Sequence, residues 1–572
     1  MLKPSLRQIL DLRLGGCYDN IGLMTGLGGA MLANPALAFV PSARLAGLAL
    51  TSIGACMLGR RLLHVGSHRA FESEVTIESH EGQKVDLSQD WGGVLLGYTT
   101  DKARPVIIPW DDWMRHCFIL GQSGMGKTVL GEWLMFQHIV RGGGVFWIDG
   151  KIDYDNIQKL NAMCAYAGRR HDLRVINPDN PQHSNTYNPI LDGDADEVAS
   201  RIISLIPSAE NNPGADHYRQ SANQGVTTTV GTIRAADRGY TFLDLSILLQ
   251  SEEAMNKLAT MVSKDSDAGA MYRMFLQRFQ TTNGKDGQTK LDLKKISDLF
   301  GGVGGRLFSF GEGNFGKITN TYNPEVQLFQ DIRDNRIVYL ALPTMGKNEA
   351  AGQFGKMAIG DYRSAIAKIQ ALPKGERPWP PTLGFFDEAG SYVNDAWSRI
   401  FEQSRSAHQV LVPAVQTVAN LDKVSKELRE MVVGNTVTKA VFRVGTEETA
   451  KTIADLIGKE NAVSIGVSGG MAKSNSAWAG MITAKSNSQN ESMNYSESSK
   501  EVYRVSTTDL KSLEKGEAIV TTDGVKVHHV KIPRVQFSDA FMRAVGGYEV
   551  NRLARPKGRG LDFFNQFGKP GK

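Results

Sequence analysis

His116-Cys117-Phe118-Ile119-Leu120-Gly121-Gln122-Ser123-Gly124-Met125-Gly126-Lys127-Thr128 is the stretch that decides the fold. Its first five residues form an apolar run of strand character, and Gly121 to Thr128 reads G-x-x-x-x-G-K-T. Val129 to Val140 continues as an apolar segment of helical length. The bare pattern also arises by chance; preceded by a strand and followed by a helix, it is a phosphate-binding loop. Glycines let backbone N–H groups wrap phosphates, and the helix N-terminus adds a favourable dipole. Gly121, Gln122, Ser123, Gly124, Met125, Gly126, Lys127 and Thr128 are therefore the expected nucleotide-binding set. Lys127 is expected to reach the β- and γ-phosphates and Thr128 to ligate Mg2+, which makes ATP and Mg2+ the cofactors.

Working outward, Pro381-Thr382-Leu383-Gly384-Phe385-Phe386-Asp387-Glu388 is an apolar strand ending in two adjacent carboxylates. Asp387 is expected to hold Mg2+ and Glu388 to act as general base toward the attacking water. Val410 to Val415 ends in Gln416-Thr417, and Lys439 to Phe442 ends in Arg443. Gln416, one strand beyond the acids, is suited to contact a γ-phosphate. Arg405, on the preceding helix, is suited to reach a neighbouring subunit's nucleotide as an arginine finger. Strand capping by Gln416 and structural ion pairs at Arg405 and Arg443 are the alternatives. A nearer strand, Gly144 to Asp149, runs into Asp149-Gly150-Lys151-Ile152-Asp153. That motif reads equally as a ligand position at a strand's carboxyl end and as a turn with a surface ion pair.

Lys127 and Asp387 stand 260 positions apart, much farther than a compact nucleotide-binding sheet requires. Residues 192–323 fill the gap with helical periodicity: Asp194 precedes Val198, Ile202, Ile203 and Ile206, and similar patterns recur to Phe279. The expected layout is a nucleotide-binding domain in two parts, 71–191 and 324–540, with an all-helical domain inserted at 192–323. Residues 464–500, rich in Ser, Gly and Asn, read as a flexible segment or loose hairpin. Residues 541–572 read as a solvated basic tail.

Composition sets the outer bounds. Among 572 residues, 22% are charged, 41% hydrophobic and 8% aromatic, which excludes a disordered or collagen-like chain. Four cysteines with no C-x-x-C pair exclude a disulfide scaffold and a zinc ribbon. The net charge of +5 lies in residues 1–70, where Lys3, Arg7, Arg13, Arg44, Arg60, Arg61 and Arg69 face only Asp11 and Asp19. The rest of the chain is neutral, so bulk charge does not point to a polyanion; DNA binding would need a local groove or pore. Ile21 to Ala43 carries no charge, nor does Leu45 to Gly59, and the basic flanks put both ends in the cytoplasm. Residues 1–70 are therefore expected to be a membrane anchor of two transmembrane helices, about 20–40 and 44–63. A signal peptide cleaved near Ala36-Leu37-Ala38 and a buried soluble hairpin are the alternatives.

In this order, the hairpin, GQSGMGKT, the D-x-K strand end, the helical insertion and Phe385-Phe386-Asp387-Glu388 resemble the coupling ATPases of type IV secretion and conjugation, the VirD4/TraD/TrwB family. Ser404 to Thr417 is similar to that family's third motif, and the likeness runs over about residues 15–535. The resemblance implies an α/β, RecA-like motor on the bacterial inner membrane, multi-pass, with its bulk in the cytoplasm and assembled as a homo-hexamer. It implies that the motor recruits a relaxase bound to DNA, single-stranded or duplex, and drives transfer through type IV secretion channel components by ATP hydrolysis. It carries Lys127, Thr128, Asp387, Glu388 and Gln416 into the site and matches Arg405 to the trans-acting arginine. A receptor for protein effectors on the same chassis is the runner-up, and an FtsK/HerA-like DNA translocase comes third. Two departures stand out: the outer loop of the hairpin is short, and Asp149-Gly150-Lys151-Ile152-Asp153 lacks the usual proline and glycine.

Overall fold

Along the strand Cys117–Leu120, successive side chains enter two different cores. Phe118 and Leu120 pack with Phe146, Ile148 and Phe386, whereas Cys117 and Ile119 pack with Val145, Trp147 and Phe385. A sheet covered on both faces needs such continuous apolar strands. The computed structural model describes residues 18–37, 39–65, 75–78, 91–206, 213–282, 289–394, 397–470, 492–524, 526–556 and 558–568.

The central sheet has 11 strands. From edge to edge they are Pro105–Pro109, Gly93–Thr99, Lys526–Lys531, Glu517–Thr522, Thr438–Val441, Cys117–Leu120, Gln409–Val415, Thr382–Asp387, Val145–Asp149, Ile337–Ala341 and Leu173–Ile176. Neighbours from Thr438–Val441 onward pair in parallel. The four strands before them add antiparallel. The strand entering the phosphate loop is thus separated from the strand ending in Asp387 by one strand alone, Gln409–Val415. All three ends open on the same edge, where α/β sheets bind ligands.

Helices dominate residues 195–319: Ala195–Ile203, Pro213–Ala235, Phe242–Leu248, Glu252–Met261, Asp267–Gln277, Leu293–Gly311 and Gly313–Thr319. Their starts follow from local chemistry. Thr241, Ser251, Ser266 and Asp292 each cap a helix by accepting from a backbone N–H, and Asp194 with Glu197 forms a capping box. The region is not wholly helical, because Gln280–Thr282 pairs with Thr289–Leu291 in a short antiparallel ribbon. Arg201, on the first of these helices, joins the region to the helix Asn348–Gln370. It donates to Asp361 Oδ1 at 3.2 Å and Ser364 Oγ at 2.9 Å, and Tyr187 donates to Asp361 Oδ2 at 2.8 Å. Burial still pushes the Asp361 carboxyl up to about 6.

Three parts differ from the sequence expectation. The described residues of 541–572 are not a solvated tail. Phe563 is fully buried, and Asp244 Oδ1 accepts from the N–H groups of Phe563 at 2.8 Å and Phe564 at 3.3 Å. Upstream, Glu325 accepts from Leu553 N at 2.8 Å and pairs with Arg552 at 3.1 Å, so residues 551–564 strap the helical region to the sheet. Apolar groups spaced among the basic ones account for this. Lys459–Gly470 and Ser492–Tyr503 form a regular antiparallel ribbon, while 471–491 lie outside the described residues.

The N-terminal hairpin consists of Tyr18–Ala33 and Pro41–Val65. The first helix stops at Ala33 instead of continuing to residue 40, because the residue before Pro35 is disfavoured in helix. Among the described residues no helix is long and apolar enough to cross a membrane. The first has 16 residues, about 24 Å, and the second carries Arg44, Arg60 and Arg61.

Emptying the strap's anchor tests its contribution. Phe563→Ala is expected to lower stability by about 3 kcal/mol in urea unfolding and to make residues 551–568 the first segment cut by protease.

Candidate nucleotide site

The phosphate loop is fixed from both flanks. Gly121 N donates to Val415 O at 3.2 Å, Gln122 N to Arg443 O at 2.8 Å, and Gly516 N to Met125 O at 2.9 Å. Gly126, at φ 124°, caps the helix Lys127–Val140 in a conformation that L side chains rarely adopt. Lys127 is buried and folds over its own loop, donating to Gly121 O at 2.7 Å and Gln122 O at 3.4 Å. Burial lowers its ammonium's proton affinity, opposed by the nearby charges of Glu388 and Asp387.

The acids meet the loop across the one intervening strand. Thr128 Oγ1 donates to Asp387 Oδ2 at 3.0 Å, and Asp387 Oδ1 accepts from Glu388 N at 3.0 Å. Burial, with the charge of Glu388 second, raises the Asp387 pKa. Glu388 sits at φ 53° in the left-handed region, a strained position for a residue with a side chain. Gln416 Nε2 donates to both of its carboxylate oxygens, at 2.8 and 3.0 Å, and Lys151 Nζ lies 2.8 Å from Oε1. Burial would raise the Glu388 pKa, but the bonds from Lys151 and Gln416 outweigh it and hold the carboxylate below its ordinary value.

The D-x-K motif divides its labour. Asp149 accepts from Tyr339 OH at 2.7 Å, Asn156 Nδ2 at 2.9 Å and Lys151 N at 2.9 Å, so it anchors the turn; burial pushes its pKa up to about 6. Lys151 turns the other way, to Glu388. Both line a cavity of about 800 Å³ together with Ser123, Gly124, Gly126, Lys127, Thr128, Asp387 and Glu388. Its far wall brings residues the motif reading missed: Glu132 with Lys159 at 2.8 Å, and Lys515, Lys531 and Arg534. They come from two helix faces, a turn and two strand ends with no recognisable spacing, and only the fold assembles them.

Arg405 is elsewhere. It is exposed on the turn Ser404–Ala407, at the start of the strand whose other end leads to Gln416, about 20 Å away along the chain. Arg443 is exposed, and its backbone carbonyl is what touches the loop.

The cavity suits a nucleotide with Mg2+. Its size is that of small-molecule sites. Thr128 Oγ1 and an Asp387 oxygen converge as hard donors beside a buried lysine. Among the described residues no trio of His, Cys, Asp and Glu forms a metal cluster. Mg2+ bound through one or two side chains plus phosphates needs none.

Residues 381–523, which contain Asp387, Glu388, Arg405 and Gln416, match the family described as the TraM recognition site of TraD and TraG. Over 378 residues the chain is 24% identical to type 4 coupling protein DotL of Legionella pneumophila, covering 58% of this chain and 48% of that protein. Over these stretches the chain is similar to the type IV coupling proteins. The conjugative coupling protein TrwB in an unbound form superposes with a TM-score of 0.50 at 14% identity, covering 78% of this chain and 90% of the other. TrwB with ADP and Mg2+ gives 0.51 at 13% identity, covering 81% and 95%. The chain thus shares TrwB's fold, a mixed α/β architecture on a largely parallel RecA-like sheet. It spans about half the length of the curated relative it matches.

Two buried histidines brace the strands behind the site. His138 Nε2 accepts from Trp113 Nε1 at 3.0 Å and its Nδ1 donates to Pro381 O at 3.0 Å, tying the loop's helix to the start of the acid strand. His116 Nδ1 accepts from Leu411 N at 3.2 Å, linking the loop strand to Gln409–Val415. Burial holds both rings neutral, with pKa values of about 4 for His116 and about 3 for His138. Because the folded pKa is depressed, their stabilisation is present above about pH 6.5 and lost as pH falls toward the folded value. His138→Gln keeps an acceptor and a donor but cannot charge. Its destabilisation at pH 7, measured by urea unfolding, is expected to shrink by roughly 2–3 kcal/mol at pH 4.5.

Proposed function

We propose that this chain is the ATPase of a type IV secretion or conjugation system, coupling ATP hydrolysis to passage of relaxase-bound DNA toward the secretion channel. One observation carries the reading: Lys127 and Thr128 meet Asp387 and Glu388 at one cavity, from opposite sides of a long insertion, with Gln416 hydrogen-bonded to Glu388. TrwB, which shares the fold, has been solved with ADP and Mg2+ and with a non-hydrolysable ATP analogue, which supports nucleotide binding here.

Lys127 binds the β- and γ-phosphates, giving up its loop carbonyls as it does so. Thr128 and Asp387 hold Mg2+, which when bound neutralises phosphate charge. Glu388, kept ionised by its hydrogen bonds, takes the proton of the attacking water, and Gln416 orients that carboxylate. Arg405, exposed and far from its own cavity, serves a neighbouring subunit of a homo-hexameric ring.

The match of residues 381–523 to a TraM recognition site supports a relaxosome partner of that kind on this region. The hairpin supports attachment to the inner membrane. Gly28 packs against Gly47 and Thr51 between its two helices, while Leu23, Leu27, Leu45, Leu48 and Ile53 face outward. Small residues inside and large apolar ones outside suit lipid better than water.

Lys127→Ala and Glu388→Gln test the motor. ATP binding is expected to fail in the first and persist in the second, whose turnover falls by about 10²-fold or more, and plasmid transfer is lost in both. Single-stranded DNA at low salt is expected to stimulate wild-type turnover. Unchanged turnover, with transfer of protein intact, favours protein substrates instead.

A further inference from the structure

The mechanism above leaves Lys151, the cavity cation paired with the general base, unassigned. Lys151 Nζ lies 2.8 Å from Glu388 Oε1, while Gln416 holds both oxygens of the same carboxylate. The contact is built by the backbone. Gly150 N donates to Asp387 O at 3.2 Å, and Thr344 Oγ1 donates to Gly150 O, so the turn is tied to the acid strand on one side and to the segment after Ile337–Ala341 on the other. A Cβ on Gly150 would stand 2.7 Å from Glu388 Cβ, so only glycine lets the turn come this close.

The two partners differ in freedom. The Glu388 side chain is 11% exposed, fixed by its left-handed backbone and by Gln416; the Lys151 side chain is 53% exposed on a flexible stem. An ion pair with one half-exposed partner is weak and easily exchanged. Lys151 also lines the cavity that holds Lys127 and Thr128, so a new anion arriving there competes for it.

Resting on the reading of this cavity as an ATP site, we propose that Lys151 is a positioning residue that senses the terminal phosphate. Without nucleotide it holds Glu388 in a clamp shared with Gln416. A triphosphate draws the ammonium away and leaves the carboxylate to Gln416 and water, whereas a diphosphate lacks the group that competes. The clamp thereby keeps the general base engaged until the substrate to be cleaved is present.

The full chain carrying Lys151→Met, Lys151→Arg, Glu388→Gln or Lys151→Met with Glu388→Gln is tested for binding of ATPγS and ADP with Mg2+, by competition against a fluorescent nucleotide. Lys151→Met is expected to weaken ATPγS about tenfold with ADP unchanged, and Lys151→Arg to restore most of the difference. Glu388→Gln is expected to tighten ATPγS more with Lys151 present than in the double variant. Equal weakening of both nucleotides, no weakening, or tightening independent of Lys151 overturns the proposal. Lys127→Ala separates the two readings. If it abolishes binding of both nucleotides, the ATP site stands whatever Lys151 does; if wild type binds neither, both readings fall.

Discussion

Parallel pairing of three neighbouring strands, Cys117–Leu120, Gln409–Val415 and Thr382–Asp387, is the constraint from which the site follows. Parallel strands end on the same edge, so the loop after Leu120, the glutamine after Val415 and the acids at 387 and 388 emerge together. Neither the loop nor the acids could find each other locally, since the chain between them holds the whole helical region and three further strands of the same sheet. The site is therefore a property of the sheet, and the buried histidines behind it matter because they fix these strands to one another.

The helical region is attached by polar contacts that are themselves buried. Arg201, Asp361, Ser364 and Tyr187 form one such knot, and Asp244 with the backbone of Phe563 and Phe564 forms another. Breaking one partner of a buried charge pair leaves the other uncompensated, which makes such knots specific even where their net contribution is small. Thr344, reaching back to Gly150, lies just ahead of the helix that carries Asp361. One route from the nucleotide cavity to the helical region therefore runs through this helix.

Much of this was legible in the sequence because it is written locally. The phosphate loop needs its glycines and lysine in one order, and strands buried on both faces need continuous apolar runs, as Cys117–Leu120, Leu383–Phe386 and Val410–Val415 supply. Gln416 was readable for the same reason, as a polar residue closing an apolar strand. Lys151 was legible as a candidate but not as a partner of Glu388, since that contact depends on how closely Gly150 approaches the neighbouring strand. The left-handed backbone of Glu388 has no signature either: glutamate is not a residue that favours it. The C-terminal strap was misread because its apolar anchors, Leu561 and Phe563, are too few to show a period, and its backbone N–H groups find their acceptors on Gly239, Tyr322 and Asp244 far upstream.

The strap and the strand order also dictate when this protein can be completed. Strands at 117–120 and 409–415 lie side by side, and antiparallel partners as late as 526–531 close the other half of the sheet. Contacts so distant along the chain form slowly, whereas the helices between 195 and 319 need only near neighbours. As the polypeptide emerges from the ribosome, the helical region condenses early and waits as a preformed unit. Only when Phe563 and Phe564 have been released can the clasp at Asp244 engage, so it closes on helices that have already formed.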